Sequence, residues 1–194
     1  DTNHRAPTTY ECLSPNHFLL SSRWLRNILR FLLPKKRPMD NMEMGFDLPQ
    51  EDEIALFLRG TPSPFSTVAF PNHPDQAPGY RHLDALPPAE LQRWKDSFRT
   101  FLRELLFIRP GQLVLKSPQH TFRLEVVAKM FPQARYIHIV RDPYVVFPST
   151  VHFWKTMYTI HGLQRPTFER LHEDVFATFT DMHETLEKTR HLVD

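Results

Sequence analysis

The fold is decided by residues 112–143, which read QLVLKSPQHTFRLEVVAKMFPQARYIHIVRDP. Two stretches in this segment predict buried strands: 112–116 is short and apolar, and 135–141 is rich in β-branched and aromatic residues. The stretch between them predicts one helix, because a Ser-Pro pair can begin it and Pro132 can end it. A strand, a crossover helix and a second strand form a right-handed βαβ unit, so the sequence predicts an α/β domain with a parallel sheet.

Regular spacing of apolar residues predicts further helices. Apolar side chains recur every three or four residues in 18–33, 88–108 and 168–192, and a shorter helix is expected at 51–59. Proline-rich stretches between them predict loops. The chain has 194 residues, of which 41% are hydrophobic, and we therefore expect a single domain over residues 1–194.

The composition excludes several classes of function. The 24 basic and 22 acidic residues leave a net charge of +2, which is too balanced for a general nucleic-acid-binding surface. Cys12 is the single cysteine, so the chain cannot form an internal disulfide or a CxxC motif, and the eleven histidines show no zinc-binding spacing. The sequence shows no signal peptide and no apolar run that could cross a membrane, so the expected location is the cytoplasm.

Two cations stand where the predicted strands end. Lys116 and Arg141 are the last residues of these strands, and open α/β sheets bind ligands at the carboxyl ends of their strands. Asp142 and Pro143 predict the start of another helix, and Ser149 lies within its second turn. If the two strands are neighbours, both cations lie in one crevice, which suits a phosphate-bearing ligand. A strand-ending arginine taken alone, however, is more often a structural salt-bridge partner.

Four segments of the chain resemble a known enzyme family. They read PTTYECLSPNHFLL (7–20), RPMDNMEMGFDLPQEDEIAL (37–56), LVLKSPQH (113–120) and FPQARYIHIVRDPYVVFPSTVHFW (131–154). In this order they resemble the sulfotransferases that use 3′-phosphoadenosine 5′-phosphosulfate, in particular the large, mostly bacterial branch. The resemblance implies a P-loop-NTPase-like domain of three layers with a central parallel sheet. It also implies the transfer of a sulfonate group to a hydroxyl or amine acceptor.

The resemblance implies roles for individual residues. Arg141 and Ser149 match the arginine and serine that hold the 3′-phosphate of the cofactor in this family. Lys116 matches the strand-ending lysine that stabilises the bridging oxygen as the sulfonate leaves, and Ser117 beside it is a further expected cofactor contact. The product would be adenosine 3′,5′-bisphosphate, and we expect no metal to be required. The acceptor, whether a small molecule, a glycan or a lipid, stays open.

The base that takes the proton of the acceptor has several candidates. Glu51, Asp52 and Glu53 form a dense acidic cluster, and His120 is expected one helical turn beyond Lys116. On a helix, Glu51 and Glu53 point about 160–200° apart, so at most one of them faces a pocket. The same carboxylates are also explained as charges that complement a helix N-terminus.

One motif of the family does not occur in this sequence. The family's loop for the 5′-phosphosulfate is rich in glycine, serine and threonine, whereas the five glycines here are scattered. We therefore expect that a first strand, loop and helix precede this chain, that its C-terminal end is also cut, and that the piece alone is inactive. The alternative is a non-catalytic sulfotransferase-like module that serves in interactions. A kinase would need a Walker lysine loop, which the sequence lacks.

Overall fold

The computed structural model describes residues 4–21, 27–28, 35–73 and 75–193. The chain divides into two compact units. The first unit is made of the residues up to Arg37, Asn41–Ser63 and Ala85–Pro118. The second is made of Pro38–Asp40, Pro64–Asp84 and the residues from Gln119 onward. Within the described ranges, no helix is long and apolar enough to cross a bilayer.

Helices make up most of the regular structure. In chain order they are α1 (Thr9–Leu13), α2 (Phe18–Ser21), α3 (Asp52–Leu58), α4 (Gly79–His82), α5 (Pro88–Ile108), α6 (Gln119–Phe122), α7 (Leu124–Met130), α8 (Pro143–His161) and α9 (Leu171–Thr189). Short 3₁₀ helices span Pro64–Val68 and Arg190–Leu192. Two strands, β1 (His4–Arg5) and β2 (Gln112–Leu113), pair in parallel.

Helix α5 carries the core of the first unit. Trp94, Phe98, Phe101 and Leu105 are each at most 1% exposed. They recur every three or four residues and therefore lie on one face of the helix. The ring of Phe18 packs edge-on against Phe101, with 6.2 Å between the ring centres. Each fully buried side chain of this size contributes about 1.5–3 kcal/mol to stability, which makes α5 the support for the shorter elements around it.

The core of the second unit forms between α8 and α9. Its buried residues are Val151, Leu171 and Val175, and larger partly buried side chains pack around them: Phe147, Trp154, Tyr158 and Phe168. Helix α8 begins as the sequence predicts, with Asp142 as the N-cap and a proline in the first turn. The Asp142 carboxylate accepts a hydrogen bond of 2.8 Å from the amide of Tyr144, which satisfies one of the free amides of the first turn.

The predicted helices largely agree with the structure. The bounds of α5 are the predicted ones, and α3 and α9 lie within the predicted 51–59 and 168–192. The predicted helix at 18–33 begins as α2, and most of its remainder lies outside the described residues. These helices depend on the local spacing of apolar residues and on capping, which is why the sequence predicts them correctly.

The predicted strand at 135–141 is wrong for this structure. Residues 134–142 form neither a helix nor a strand, and Ile137, Ile139 and Val140 are 89%, 78% and 72% exposed. The parallel partner of β2 is instead β1, which the sequence pattern did not indicate. A β-branched stretch becomes a strand only where a neighbouring strand and a covering layer receive it, and in the described residues none pairs with this segment.

The predicted single helix after Ser117 is also wrong, because it breaks into α6 and α7 at Arg123. The Arg123 side chain is fully buried, and its Nε donates to the carbonyl oxygens of Tyr80 at 3.0 Å and Arg81 at 3.3 Å. Its backbone amide bonds to His120 three residues earlier rather than four, at 3.1 Å. A buried guanidinium needs such acceptors, and reaching them interrupts the helix.

The α/β class therefore holds at a coarse level, as a mostly helical chain with a small parallel sheet. The three-layer, P-loop-like arrangement and the single-domain organisation remain predictions.

Candidate active site

The structure brings Lys116 and Glu51 together within the first unit. Lys116 lies three residues beyond β2, and its Nζ donates a hydrogen bond to Glu51 Oε1 in an ion pair. The side chain of Lys116 is 71% exposed and that of Glu51 is 19% exposed. Glu51 is the N-cap residue of α3, but its carboxylate does not cap the helix. The carboxylate contacts the lysine instead, so an exposed cation and a partly covered carboxylate form an ion pair.

The other two carboxylates of the acidic cluster are buried. Asp52 is 0% exposed and Glu53 is 1% exposed. Glu53 Oε1 accepts a hydrogen bond of 2.5 Å from the hydroxyl of Ser63. A buried carboxylate that already accepts from a neighbouring hydroxyl is less available to an incoming acceptor than Glu51. The geometry therefore favours Glu51 among the three.

Ser117 and His120 have different surroundings from those predicted. Ser117 is buried, with 8% of its surface exposed, and belongs to the first unit. His120 lies in the second unit on the four-residue helix α6, where its carbonyl oxygen accepts the amide of Arg123. The long helix that was to place His120 one turn beyond Lys116 does not form.

Arg141 and Ser149 lie at the exposed start of α8, in the second unit. Arg141 directly precedes the N-cap Asp142, and Ser149 follows Asp142 by seven residues, within the second turn of the helix. Within the described part of the chain, neither the Arg141 side chain nor the Ser149 side chain forms a hydrogen bond or ion pair.

This donor set suits a phosphate group. A guanidinium presents planar donors that match phosphate oxygens, and a serine hydroxyl can donate to the same group. Because both side chains face water without an internal partner, neither must break a protein contact to bind an anion. The residues therefore fit the 3′-phosphate of the expected cofactor. Among the described residues, no cluster of His, Cys, Asp and Glu side chains could hold a metal ion.

The thiol of Cys12 reports the electrostatics near α3. Burial raises the pKa of this thiol well above its usual range, and the carboxylates of Asp52, Glu11 and Glu51 raise it further. Cys12 is fully buried and unpaired, as expected for a small core residue. Three carboxylates near this thiol give the region negative charge, which is consistent with Lys116 as the partner of Glu51.

Sequence reasoning missed several residues that organise the site. Arg5 and Glu11 form a buried ion pair of 2.5 Å, and Glu11 completes a capping box with Thr8 at the start of α1. The Thr-Thr-Tyr-Glu order of residues 8–11 carries that signal in the sequence. No local pattern announces the burial of Arg5 or Arg123, because their acceptors come from distant parts of the chain.

Comparisons with known proteins identify the family of the chain. A family model described as the sulfotransferase family matches residues 22–193. The chain is 47% identical over all of its 194 residues to proteins named omega-hydroxy-beta-dihydromenaquinone-9 sulfotransferase from Mycobacterium bovis and Mycobacterium tuberculosis. It spans 50% of the length of each relative. No solved structure gives a significant match. The extent of the family match shows that the chain belongs to the sulfotransferase family.

Proposed function

We propose that this chain is part of an enzyme that transfers a sulfonate group from 3′-phosphoadenosine 5′-phosphosulfate to the hydroxyl of an acceptor. The observation that supports the proposal is the ion pair between the Lys116 ammonium and the Glu51 carboxylate in a member of the sulfotransferase family. When bound, the cofactor supplies an activated sulfonate group on a phosphate leaving group.

Lys116 and Glu51 have different roles in the proposed transfer. The exposed ammonium of Lys116 can move from the carboxylate to a phosphate oxygen and stabilise the negative charge that develops there. That movement leaves the Glu51 carboxylate open to accept a proton from the acceptor hydroxyl, which makes the oxygen a better nucleophile. The proton ends on Glu51, and the ion pair re-forms after proton release.

In this proposal, Arg141 and Ser149 bind the 3′-phosphate of the cofactor. Their donors are open to solvent, and a phosphate replaces water at both. Binding there anchors the nucleotide without taking part in the chemical step. Such remote binding energy can hold the reacting group in place for transfer.

The acceptor we propose is a lipid that carries a hydroxyl group. The relatives at 47% identity are named for a hydroxylated dihydromenaquinone, and the identity extends over the whole of this chain.

Calorimetric titration of adenosine 3′,5′-bisphosphate into the full natural polypeptide tests the cofactor site. Arg141→Ala should weaken binding about 10- to 100-fold, because a charge-assisted hydrogen bond is worth about 1.5–3 kcal/mol. Ser149→Ala should weaken it about 2- to 10-fold, as expected for a neutral hydrogen bond. Arg135→Ala removes an arginine from the adjoining exposed segment and serves as the matched control. Unchanged binding in both site variants would refute the assignment, and so would an equal loss in the control.

A further inference from the structure

The backbone that leads to Lys116 is held by Arg5. The amide of Val114 donates to the carbonyl oxygen of Arg5 at 2.8 Å, which extends the pairing of β1 and β2 toward Lys116. The side chain of Arg5 is 4% exposed, and its Nη1 donates to the carbonyl oxygen of Leu105 at 2.6 Å. Arg5 thus ties the strand that precedes Lys116 to the end of α5.

The backbone that leads to Glu51 is held by the start of α1. The amide and the hydroxyl of Thr9 both donate to the carbonyl oxygen of Leu48, at 2.8 and 3.0 Å. The amide of Gln50 donates to the carbonyl oxygen of Pro7 at 2.9 Å. The Gln50 side chain in turn accepts from the amide of Glu51 at 3.0 Å. The path from Leu48 to Glu51 is therefore fixed by hydrogen bonds.

The two attachments belong to one short segment. Glu11 Oε1 pairs with Arg5 at 2.5 Å, and Glu11 Oε2 accepts the amide of Thr8 at 2.8 Å. The hydroxyl of Thr8 accepts the amide of Glu11 at 3.3 Å and closes the capping box. These contacts hold residues 5–11 together, so one short segment contacts both the backbone that precedes Lys116 and the backbone that precedes Glu51.

We propose that Thr9 is a positioning residue, whose hydroxyl sets the approach of the Glu51 carboxylate to Lys116. The inference rests on the proposed function, since its value to the enzyme depends on Glu51 and Lys116 taking part in transfer. Thr9 is 5% exposed and does not itself reach the pair, so it acts through Leu48 and the hydrogen-bonded path to Glu51.

The test compares Thr9→Val, which keeps the shape and removes the hydroxyl, with Thr9→Ser, which keeps the hydroxyl. The full natural polypeptide is treated with a zero-length carbodiimide, and mass spectrometry measures the amide cross-link between Glu51 and Lys116. Thr9→Val should lower the cross-link yield and lower kcat about 5- to 10-fold with little change in KM for the donor, because small misplacements of reacting groups slow the chemical step. Thr9→Ser should retain both.

Thr61→Val is the matched control. It removes a hydroxyl that lies 3.1 Å from the Ser97 hydroxyl, in the same unit but beyond the opposite end of α3. An unchanged cross-link and kcat in Thr9→Val would overturn the proposal, and so would an equal loss in Thr9→Ser or Thr61→Val. A third outcome separates the two proposals: the unsubstituted protein forms the cross-link and Thr9→Val loses it, but the unsubstituted protein transfers no sulfonate. In that case the proposed function fails while the positioning role of Thr9 stands.

Discussion

Lys116 and Glu51 form an ion pair at a place where buried groups hold the backbone, whereas the side chains of Arg141 and Ser149 are exposed and form no hydrogen bond or ion pair in the described residues. The difference is consistent with the two roles that we propose. Groups that move a proton or stabilise a developing charge act best when they are oriented before the reaction, and the hydrogen-bonded backbone around Lys116 and Glu51 can provide that orientation. Groups that bind a phosphate gain most when their donors are free until the ligand arrives.

The largest expected effect comes from replacing Glu51, the base that we propose. Glu51→Gln keeps the size of the side chain but cannot take a proton, and we expect kcat to fall about 10²- to 10⁴-fold, the usual contribution of a general base. Steady-state kinetics of the full natural polypeptide measure the fall. Glu53→Gln and His120→Asn are the comparison variants, and a larger fall of kcat in either folded variant would move the base away from Glu51.

Breaking the buried ion pair between Arg5 and Glu11 should chiefly affect stability. Glu11→Gln leaves the buried Arg5 guanidinium without its counter-charge, and we expect the free energy of unfolding to fall by about 3–5 kcal/mol. Urea denaturation followed by circular dichroism measures the fall. Lys116→Ala breaks an exposed ion pair in the same unit and should cost less than about 1 kcal/mol. Equal losses of unfolding free energy in the two variants would contradict the contrast between the buried Arg5–Glu11 pair and the exposed Lys116.

The smallest expected effect lies in the exposed segment that precedes Arg141. Ile139 is 78% exposed, so Ile139→Ser should change the free energy of unfolding of this chain by no more than about 0.5 kcal/mol. The same denaturation experiment measures it, with Leu105→Ala as a buried control expected to cost about 2–5 kcal/mol. A loss of several kcal/mol for Ile139→Ser in the full natural polypeptide would show that this segment is buried there, as its strand-like sequence predicts.

Local patterns predicted the features that depend on neighbours in sequence. The apolar spacing of Trp94, Phe98, Phe101 and Leu105 defines α5, and the Asp-Pro pair at 142 and 143 defines the start of α8. These features form because helical faces and caps use residues only three or four positions apart. The residue types at Lys116, Arg141 and Ser149 likewise predict an anionic ligand from the sequence alone.

Tertiary structure decided what depends on distant partners. It placed Glu51 rather than Glu53 against Lys116, paired β2 with β1, and broke the helix at Arg123 to satisfy a buried guanidinium. A sequence shows that a carboxylate, a strand-forming stretch or an arginine is present, but its partner is set by packing across the fold. Buried charges and unpaired strands are costly enough that their partners, not local preference, determine where they lie.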